Sequence, residues 1–358
     1  MNTSDPEIIF DAQGVCNHCH KYDIDIKQRT VSDSTMGARL NMIVEQIKKA
    51  GKGKEYDCII GVSGGVDSTY VAYKTKELGL RPLAVHLDNG WDSELAVKNI
   101  EQVLKGLDIE LYTHVIDWNE FKDLQLAFLK ASTPDSEIPT DHAITALMFE
   151  MAKRFGLKYI LSGVNVRTES HLPRAWSQGH LDWKYIRAIH RQFGTQRLTS
   201  YPHQGLLQSV LDRLRLKWID LLNYVNYSKT EAMDVLQNKL GWKYYGGKHY
   251  ESIYTRFYQG YILPKKFGYD KRRTHLSSLI CSGEITREAA LKELEKSPYP
   301  EDMQKQDREY VVKKLGLTDA EFEAIMTAPS KRFEDYPSYA KTRLYKILRW
   351  GHRTIRRK

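Results

Sequence analysis

Residues 57–68 read Asp-Cys-Ile-Ile-Gly-Val-Ser-Gly-Gly-Val-Asp-Ser, and this stretch decides the fold class. The apolar run at positions 58–62 is typical of a buried parallel strand, whereas residues 68–78 have the apolar spacing of a helix. Two glycines and neighbouring hydroxyls between a strand and a helix let backbone N–H groups approach an anion closely, and the helix dipole adds positive potential. The stretch therefore predicts a phosphate-binding loop.

The residues of this loop have different predicted roles. Two hydroxyls and three backbone amides are the expected nucleotide contacts, those of Ser63, Ser68, Gly64, Gly65 and Val66. Asp67 would repel a phosphate unless it holds Mg²⁺ or orients the loop, so we predict that it contributes both to nucleotide binding and to catalysis.

Two other interpretations of the loop remain open. Residues 61–65 also match the Gly-x-Ser-x-Gly nucleophile elbow of α/β-hydrolases, although an elbow normally follows a strand in mid-sheet rather than the first strand. The plainer alternative is a glycine turn between strand and helix. It is not a Walker A loop, because no Gly-x4-Gly-Lys-Ser/Thr occurs.

The rest of the first half alternates between strand and helix patterns. The predicted strands are 82–87, 109–116 and 159–161, and the predicted helices are 40–49, 94–107, 119–130 and 141–155. This alternation predicts an α/β fold with a doubly wound parallel sheet. Ligands of such sheets bind at the carboxyl ends of the strands, where Asp88, Gly163 and Asn165 lie, so we predict that these residues contact the nucleotide.

Beyond residue 165 the pattern becomes mostly helical, with predicted helices near 206–222, 252–261, 285–294 and 319–326. We predict four parts: a loop-rich N-terminal cap that contains cysteines (1–35), a nucleotide-binding α/β domain (36–165), a mostly helical region for substrate or partner (166–340) and a basic tail (341–358). Within the tail, apolar positions on a helical face suggest docking to anionic lipid or to a partner protein, and a solvated terminal helix is an equal alternative.

Charge and hydropathy limit the function classes. The net charge is +9, but residues 341–358 hold eight basic and no acidic residues, so the other 340 residues carry only +1. A nearly neutral body argues against a nucleic-acid substrate. The sequence has neither a long uncharged apolar run nor the order of a signal peptide, so we expect a cytoplasmic protein with reduced thiols.

The loop at 63–68 resembles the pyrophosphate loop of the ATP pyrophosphatases (PP-loop superfamily), which include asparagine synthetase, NAD synthetase and tRNA-thiolating enzymes. In that superfamily the loop holds the pyrophosphate of ATP while a substrate oxygen attacks the α-phosphorus. The resemblance implies ATP and Mg²⁺ as cofactors, and it leaves the substrate open.

Three further stretches resemble the bacterial N-acetyl sugar amidotransferases of O-antigen and pseudaminic acid pathways: residues 2–19, 139–144 and 248–272. This resemblance implies an ATP- and ammonia-dependent conversion of the N-acetyl group of a UDP-linked sugar to an acetamidino group. Asp141 lies in the second stretch and is a candidate catalytic residue. The third stretch holds the candidate catalytic cations Lys266 and Lys271, although a solvated charged face is the plainer interpretation of that stretch.

The cysteines suggest a metal site. Cys16 and Cys19 form a Cys-x-x-Cys pair, and the family pattern commonly has a second such pair before residue 2, which this sequence does not contain. Because two thiolates cannot complete a tetrahedral zinc site, Cys281, His18 or His20 would have to supply further ligands. We therefore expect a possible Zn²⁺ site that includes Cys16, Cys19 and Cys281.

The sequence offers no glutaminase motif. None of the four cysteines follows the initiator residue or sits on a glycine-flanked elbow with a His–Glu partner. The family resemblance implies that ammonia comes from separate glutaminase and barrel subunits similar to those of imidazole-glycerol-phosphate synthase. Two rival functions remain, a tRNA-modifying enzyme of the thiolating or lysidine-forming type and a nucleotide-binding scaffold without catalysis.

Overall fold

The fold is built on five parallel strands. In this computed structural model, which describes residues 1–30 and 33–342, the strands are β1 (Cys58–Gly61), β2 (Pro82–Asp88), β3 (Leu111–Val115), β4 (Tyr159–Ser162) and β5 (Lys217–Asp220). They form one sheet in the order β3-β2-β1-β4-β5. The central strand β1 pairs with β2 through Ile59 and Leu83, and with β4 through Ile59 and Ile160.

Helices cover both faces of the sheet. Those of the first part are α1 (Asn17–Arg29), α2 (Asp33–Gly51), α3 (Val66–Glu77), α4 (Glu94–Gly106), α5 (Trp118–Ala131) and α6 (Ile138–Arg154). Successive side chains of a strand point to opposite faces. Ile59 packs in the core formed with α5 and α6, whereas Ile60 packs in the core formed with α3 and α4. This two-sided burial confirms the predicted doubly wound α/β fold.

The second part of the chain is mostly helical. Its α-helices are α7 (Val166–Glu169), α8 (Trp183–Phe193), α9 (Leu206–Arg215), α10 (Lys229–Leu240), α11 (Ile253–Phe257), α12 (Arg272–Cys281), α13 (Arg287–Glu295), α14 (Glu301–Leu315) and α15 (Asp319–Thr327). A π-helix continues α11 over Tyr258–Phe267, and it ends at Gly268, whose φ of +73° suits glycine. The Arg256–Asp307 ion pair, at 2.6 Å, joins α11 to α14.

Two local predictions were wrong. The segment 206–222 was predicted as one helix, but the helix stops at Arg215 and the chain enters β5. β5 lies at the sheet edge with Trp218 still 39% exposed, so it has little of the continuous apolar signal of a central strand. The N-terminal cap was predicted to be loop-rich, yet half of its described residues form α1 and the start of α2.

Two further predictions concern membranes and the tail. Within residues 1–30 and 33–342, no helix is both long and apolar enough to span a bilayer. The tail predicted to dock to lipid or to a partner lies almost wholly outside the described residues, since the description ends at residue 342.

Candidate functional site

The predicted phosphate loop joins β1 to α3 at the carboxyl end of the sheet. Its two serines hold it together, with the Oγ atoms of Ser63 and Ser68 3.1 Å apart and the Ser63 N–H donating to Ser68 Oγ at 3.2 Å. The N-cap of α3 is Gly65, which has no side chain to cap the first turn. The Val66 N–H donates to the hydroxyl of Tyr245 at 3.3 Å, and the other amides of this helix start, together with the two serine hydroxyls, are suited to bind phosphate oxygens.

Close packing explains the glycines around this loop. Gly64 has a φ of +78°, and a Cβ atom there would lie 2.7 Å from the carbonyl oxygen of Ala96. The carbonyl of Gly64 accepts a hydrogen bond from the buried indole of Trp242 at 2.9 Å. The backbone therefore runs close against α4 and is held there, which fixes the direction of the loop amides.

The cleft above the loop contains charges of both signs. Lys229 and Lys248 lie among its lining residues together with Glu169 and Glu251. Lys248 Nζ donates to Glu169 Oε1 at 3.1 Å. Burial, and then the positive charge of Lys248, lower the pKa of Lys229. Two lysines beside this glycine loop would favour a ligand with several negative charges, such as a polyphosphate, over a ligand with a single carboxylate.

Asp67 differs from the sequence prediction in its setting. It was predicted as a loop residue before a helix at 68–78, but it lies in the first turn of α3, half-buried, and accepts a hydrogen bond from the hydroxyl of Tyr227. Burial and the nearby carboxylate of Glu169 raise the pKa of Asp67, while Lys248 opposes the shift. Asp67 is one of the residues that line the cleft above the loop.

Glu251 is a cleft residue to which the sequence analysis gave no role. Its carboxylate lies so close to the loop that a Cβ on Gly65 would be 3.1 Å from Oε1. The other oxygen, Oε2, is buried and has no hydrogen-bond partner. A buried carboxylate oxygen without a partner is costly, and a divalent cation is the kind of ligand that would satisfy it. Asp67 and Glu251 thus fit a Mg²⁺ ion held beside phosphates.

A second cluster of charged side chains lies at the start of α6, and we call Asp135, Glu137 and Asp141 the carboxylate cluster. Glu137 Oε2 accepts hydrogen bonds from Lys271 Nζ at 3.1 Å and from Gln259 Nε2 at 2.8 Å. Asp141 is exposed and lies 3.6 Å from the ring of His180. The structure therefore brings the predicted residues Lys271 and Asp141 together.

The carboxylate cluster lies at the same edge of the sheet as the loop. Asn89, directly after β2, donates to Thr140 Oγ1 at 3.2 Å and so ties α6 to the strand end. The pKa of Glu137 lies below its usual value. Burial alone would raise it, but the positive charges of Lys271 and of His249, which lines the cleft, lower it. His249 also has a φ of +62°, a strained conformation of the kind found at functional sites.

Lys266 lies elsewhere. Its ammonium group donates to the carbonyl oxygens of Ile325, Met326 and Ala328 at the carboxyl end of α15, with 2.8 Å to Ala328. A lysine at the last carbonyls of a helix is a typical C-terminal cap. We therefore assign Lys266 a structural role and leave it out of the candidate site, in contrast to the sequence prediction.

The remaining predicted nucleotide contacts are mainly structural in this conformation. Asp88 accepts a hydrogen bond from the Gly90 N–H at 2.8 Å, which shapes the turn after β2. Asn165 is buried and caps α7 by accepting from the Thr168 N–H at 2.9 Å. Gly163 lines the cleft and lies directly against the backbone of Asp67.

The cysteines predicted to bind metal also come together. Cys16 Sγ is 3.5 Å from Cys19 Sγ, which is 4.0 Å from Cys281 Sγ. The predicted alternative ligands point elsewhere, because His18 pairs with Asp5 at 2.6 Å and His20 with Asp11 at 2.7 Å. Instead, His171 Nε2 lies 3.7 Å from Cys281 Sγ. Cys58 is fully buried in β1, as expected of a core residue.

Sequence reasoning missed most of the cleft wall. The missed residues come from four separate segments: Glu169, Lys229, Tyr245, Lys248, His249 and Glu251. Residues 248–252 had been singled out for a family resemblance but given no role. The other segments lack a local motif, so only the fold brings them to the loop.

Comparison with known proteins gives partial matches. A family model described as "LPS biosynthesis protein WbpG-like, C-terminal domain" matches residues 251–349. An uncharacterized protein of Methanocaldococcus jannaschii is 24% identical over 277 residues, which are 75% of this chain and 82% of that protein. A tRNA(Ile)-lysidine synthase of Chlamydia pneumoniae is 37% identical over 71 residues, only 19% of this chain and 22% of that enzyme.

Two solved structures match this chain at low sequence identity and low TM-score. The NMN synthetase of Francisella tularensis is 14% identical with a TM-score of 0.32, and the match covers 73% of this chain and 96% of that one. The NH3-dependent NAD synthetase of Campylobacter jejuni is 12% identical with a TM-score of 0.34, covering 82% and 98%. The chain itself shows the class: a doubly wound α/β protein with a glycine loop directly after β1, the first strand of the sequence and the central strand of the sheet.

Proposed function

We propose that this chain is an ATP-dependent, AMP-forming amidotransferase that converts the acetamido group of a nucleotide-linked N-acetyl sugar to an acetamidino group. The observation that carries the proposal is the composition of the cleft. A glycine loop leads into a helix without a side-chain cap, and the same cleft holds Lys229, Lys248 and a Glu251 oxygen without a hydrogen-bond partner. That arrangement suits the pyrophosphate of ATP and its cation.

The loop and the lysines would bind the β- and γ-phosphates. The amides at the start of α3 and the hydroxyls of Ser63 and Ser68 offer donors, while Lys229 and Lys248 supply positive charge from the opposite wall. When bound at Asp67 and Glu251, Mg²⁺ would offset the charge that develops on the leaving pyrophosphate. Asp67 also orients the loop through its hydrogen bond with Tyr227.

The chemistry has two displacements. The acetamido oxygen attacks the α-phosphorus of ATP, the bond to the bridging oxygen breaks, and pyrophosphate leaves while the amide nitrogen loses its proton. Ammonia then adds to the activated carbon, and AMP departs with the former amide oxygen. Activation is needed because an amide carbonyl is a poor electrophile, and the task of the protein is to position both partners and stabilise charge.

The carboxylate cluster suits the ammonia half of the reaction. Asp141 is exposed beside His180 and can accept the proton that the incoming nitrogen releases. Lys271 neutralises Glu137, which keeps the local charge balanced when Asp141 is ionised. We propose that ammonia arrives from separate glutaminase and barrel subunits, since this chain presents no cysteine of glutaminase type.

The substrate class rests on the C-terminal part of the chain. The WbpG-like family model matches residues 251–349, and its description refers to lipopolysaccharide biosynthesis. That stretch supplies Glu251 to the cleft and Lys271 to the carboxylate cluster. A UDP-linked N-acetyl sugar is the corresponding substrate with an acetamido group.

The second candidate is a tRNA-modifying enzyme of the lysidine-forming type. It is favoured by the 71-residue match to a tRNA(Ile)-lysidine synthase. The nearly neutral body speaks against it, because a tRNA-binding surface is normally basic over a whole domain.

One assay separates these candidates. The purified chain is incubated with ATP, Mg²⁺ and ammonium, and the release of AMP and pyrophosphate is measured with a panel of UDP-N-acetyl sugars or with unmodified tRNA. We expect turnover that depends on one of the sugars and on ammonium. Turnover stimulated by tRNA and lysine, and by none of the sugars, would replace the proposal with the second candidate.

A further inference from the structure

Four metal-ligating side chains converge on one spot between three helices. Cys16 and Cys19 lie one turn apart at the start of α1, Cys281 is the last residue of α12, and His171 follows α7 by two residues. The ligand atoms of Cys19, His171 and Cys281 all lie within 4.8 Å of one another. Cys16 is buried, and His171 is fully buried. The site is separate from the phosphate loop and from the carboxylate cluster.

The spacing agrees with a tetrahedral zinc ion. Zinc–sulfur bonds of about 2.3 Å and zinc–nitrogen bonds of about 2.0–2.1 Å give tetrahedral edges of roughly 3.8 Å between two sulfurs and roughly 3.6 Å between sulfur and nitrogen. The measured separations are 3.5 Å for Cys16–Cys19, 4.0 Å for Cys19–Cys281 and 3.7 Å for Cys281–His171. Cys19, His171 and Cys281 thus already form three corners of the tetrahedron, whereas Cys16 lies outside the set of ligand atoms that are all within 4.8 Å of one another. A rotation of the Cys16 side chain would have to bring its sulfur to the fourth corner.

The contacts of His171 suit the tautomer that a metal needs. Ser278 Oγ donates to the carbonyl oxygen of Thr274 at 3.1 Å, so its single proton is used there. His171 Nδ1 lies 2.9 Å from Ser278 Oγ and 3.0 Å from Ser170 Oγ, so two hydroxyl oxygens can accept its proton. With the proton on Nδ1, Nε2 carries none and faces Cys281, as in a metal-ligating histidine whose other nitrogen is held by a second group.

We propose that Cys16, Cys19, Cys281 and His171 bind one zinc ion in a closed structural site. Three thiolates and one imidazole favour zinc over Mg²⁺ or Ca²⁺, which prefer oxygen ligands. Four protein ligands leave no open position, so the ion does not take part in the reaction.

The position of this site indicates what the ion does. It joins α1 to α12 and to the segment after α7, and α7 ends with the cleft residue Glu169. On α12, His275 lies 3.2 Å from the carbonyl oxygen of Thr168 and 3.4 Å from Lys248 Nζ. A zinc ion would therefore hold the N-terminal cap against the helices that position the Glu169–Lys248 pair.

Metal analysis of the purified full chain tests the proposal directly. We expect about one zinc per chain. After removal of zinc with a chelator under reducing conditions, Co²⁺ should restore the visible absorption that is typical of tetrahedral cobalt with thiolate ligands. His171→Ala should weaken zinc binding by more than about 100-fold, because losing a ligand costs more than losing a group behind a ligand. His171→Cys should retain binding.

Two matched variants control for general effects. His20→Ala removes an exposed imidazole of the same helix, and Cys58→Ser removes a buried thiol outside the cluster, so both should keep the zinc stoichiometry. Circular dichroism checks that every variant is folded. A wild-type chain that stays free of zinc at saturating zinc, that binds iron instead, or that binds zinc unchanged after His171→Ala would overturn the proposal. None of these results depends on turnover, so they are independent of the proposed reaction.

Discussion

A Cβ atom built on Gly163 would lie 2.9 Å from the carbonyl carbon of Asp67. The end of β4 therefore packs directly against the first turn of α3, and the absence of a side chain at position 163 sets how deep Asp67 sits in the cleft. Gly163 was predicted as a nucleotide contact, and its contact with Asp67 adds a positioning role that sequence alone does not reveal.

Gly163→Ala should consequently displace the first turn of α3. We expect a loss of at least about 10-fold in ATP turnover, because a shift of a few tenths of an ångström moves both the loop amides and Asp67. Gly205→Ala is the matched control, since a Cβ there would meet nothing within 4 Å. Steady-state AMP release by the two variants checks this, and equal rates would contradict the positioning role.

Asp67→Asn tests the carboxylate without removing its contact. The asparagine oxygen can still accept the hydrogen bond from Tyr227, so the loop should keep its shape. We expect turnover to fall by about 100-fold or more, with a much smaller change in the thermal midpoint. Tyr227→Phe removes only the hydrogen bond and should reduce turnover less. Turnover by a folded Asp67→Asn variant at the wild-type rate would contradict the assignment.

Lys271 and Lys266 should respond oppositely to substitution. Lys271→Gln keeps a donor for Glu137 but removes the charge, and we expect ammonium-dependent turnover to fall by at least about 10-fold. Lys266→Met removes the cap of α15 and should lower stability by about 1–2 kcal/mol while kcat remains unchanged. Activity assays and thermal melts of both variants test these roles. Loss of turnover in Lys266→Met without loss of stability, together with normal turnover in Lys271→Gln, would place Lys266 rather than Lys271 in the site.

The sequence was sufficient for the fold class because its signals are local. The apolar run of β1, the glycines at 64 and 65 and the alternation of strands and helices all lie within short windows. The cleft wall was not predictable in this way, because Glu169 and Lys229 come from segments without a motif. Lys248 lies in a stretch that carried a family resemblance but was itself given no role. His171 was not predicted as a metal ligand, because it is far in sequence from Cys16 and Cys19 and only the fold brings it to them. His18 and His20 were the predicted alternatives because they are next to those cysteines in the sequence.

Stability should depend on pH through a buried histidine. His142 is buried and packs against the rings of Trp183 and Tyr201, and burial lowers its pKa to about 4. The unfolded chain binds a proton near pH 6.5 but the folded chain does not, so the free energy of unfolding should fall as the pH drops from about 6.5 to 4, by up to about 1.4 kcal/mol per pH unit.

A His142→Gln variant isolates this contribution, since glutamine can donate and accept but does not titrate. Its unfolding free energy, measured with denaturant between pH 4 and 8, should have a shallower acid slope than that of the wild type. Parallel slopes would show that the folded chain protonates His142 normally.

The central claim is that ATP activates the acetamido oxygen by transfer of AMP. It is tested most directly with a UDP-N-acetyl sugar carrying ¹⁸O in the acetamido group that undergoes conversion, incubated with the chain, ATP, Mg²⁺ and ammonium. Mass spectrometry should then find one ¹⁸O in the phosphate of the AMP formed, because the amide oxygen leaves with AMP. Unlabelled AMP alongside amidine product, or label in inorganic phosphate with formation of ADP, would contradict the account.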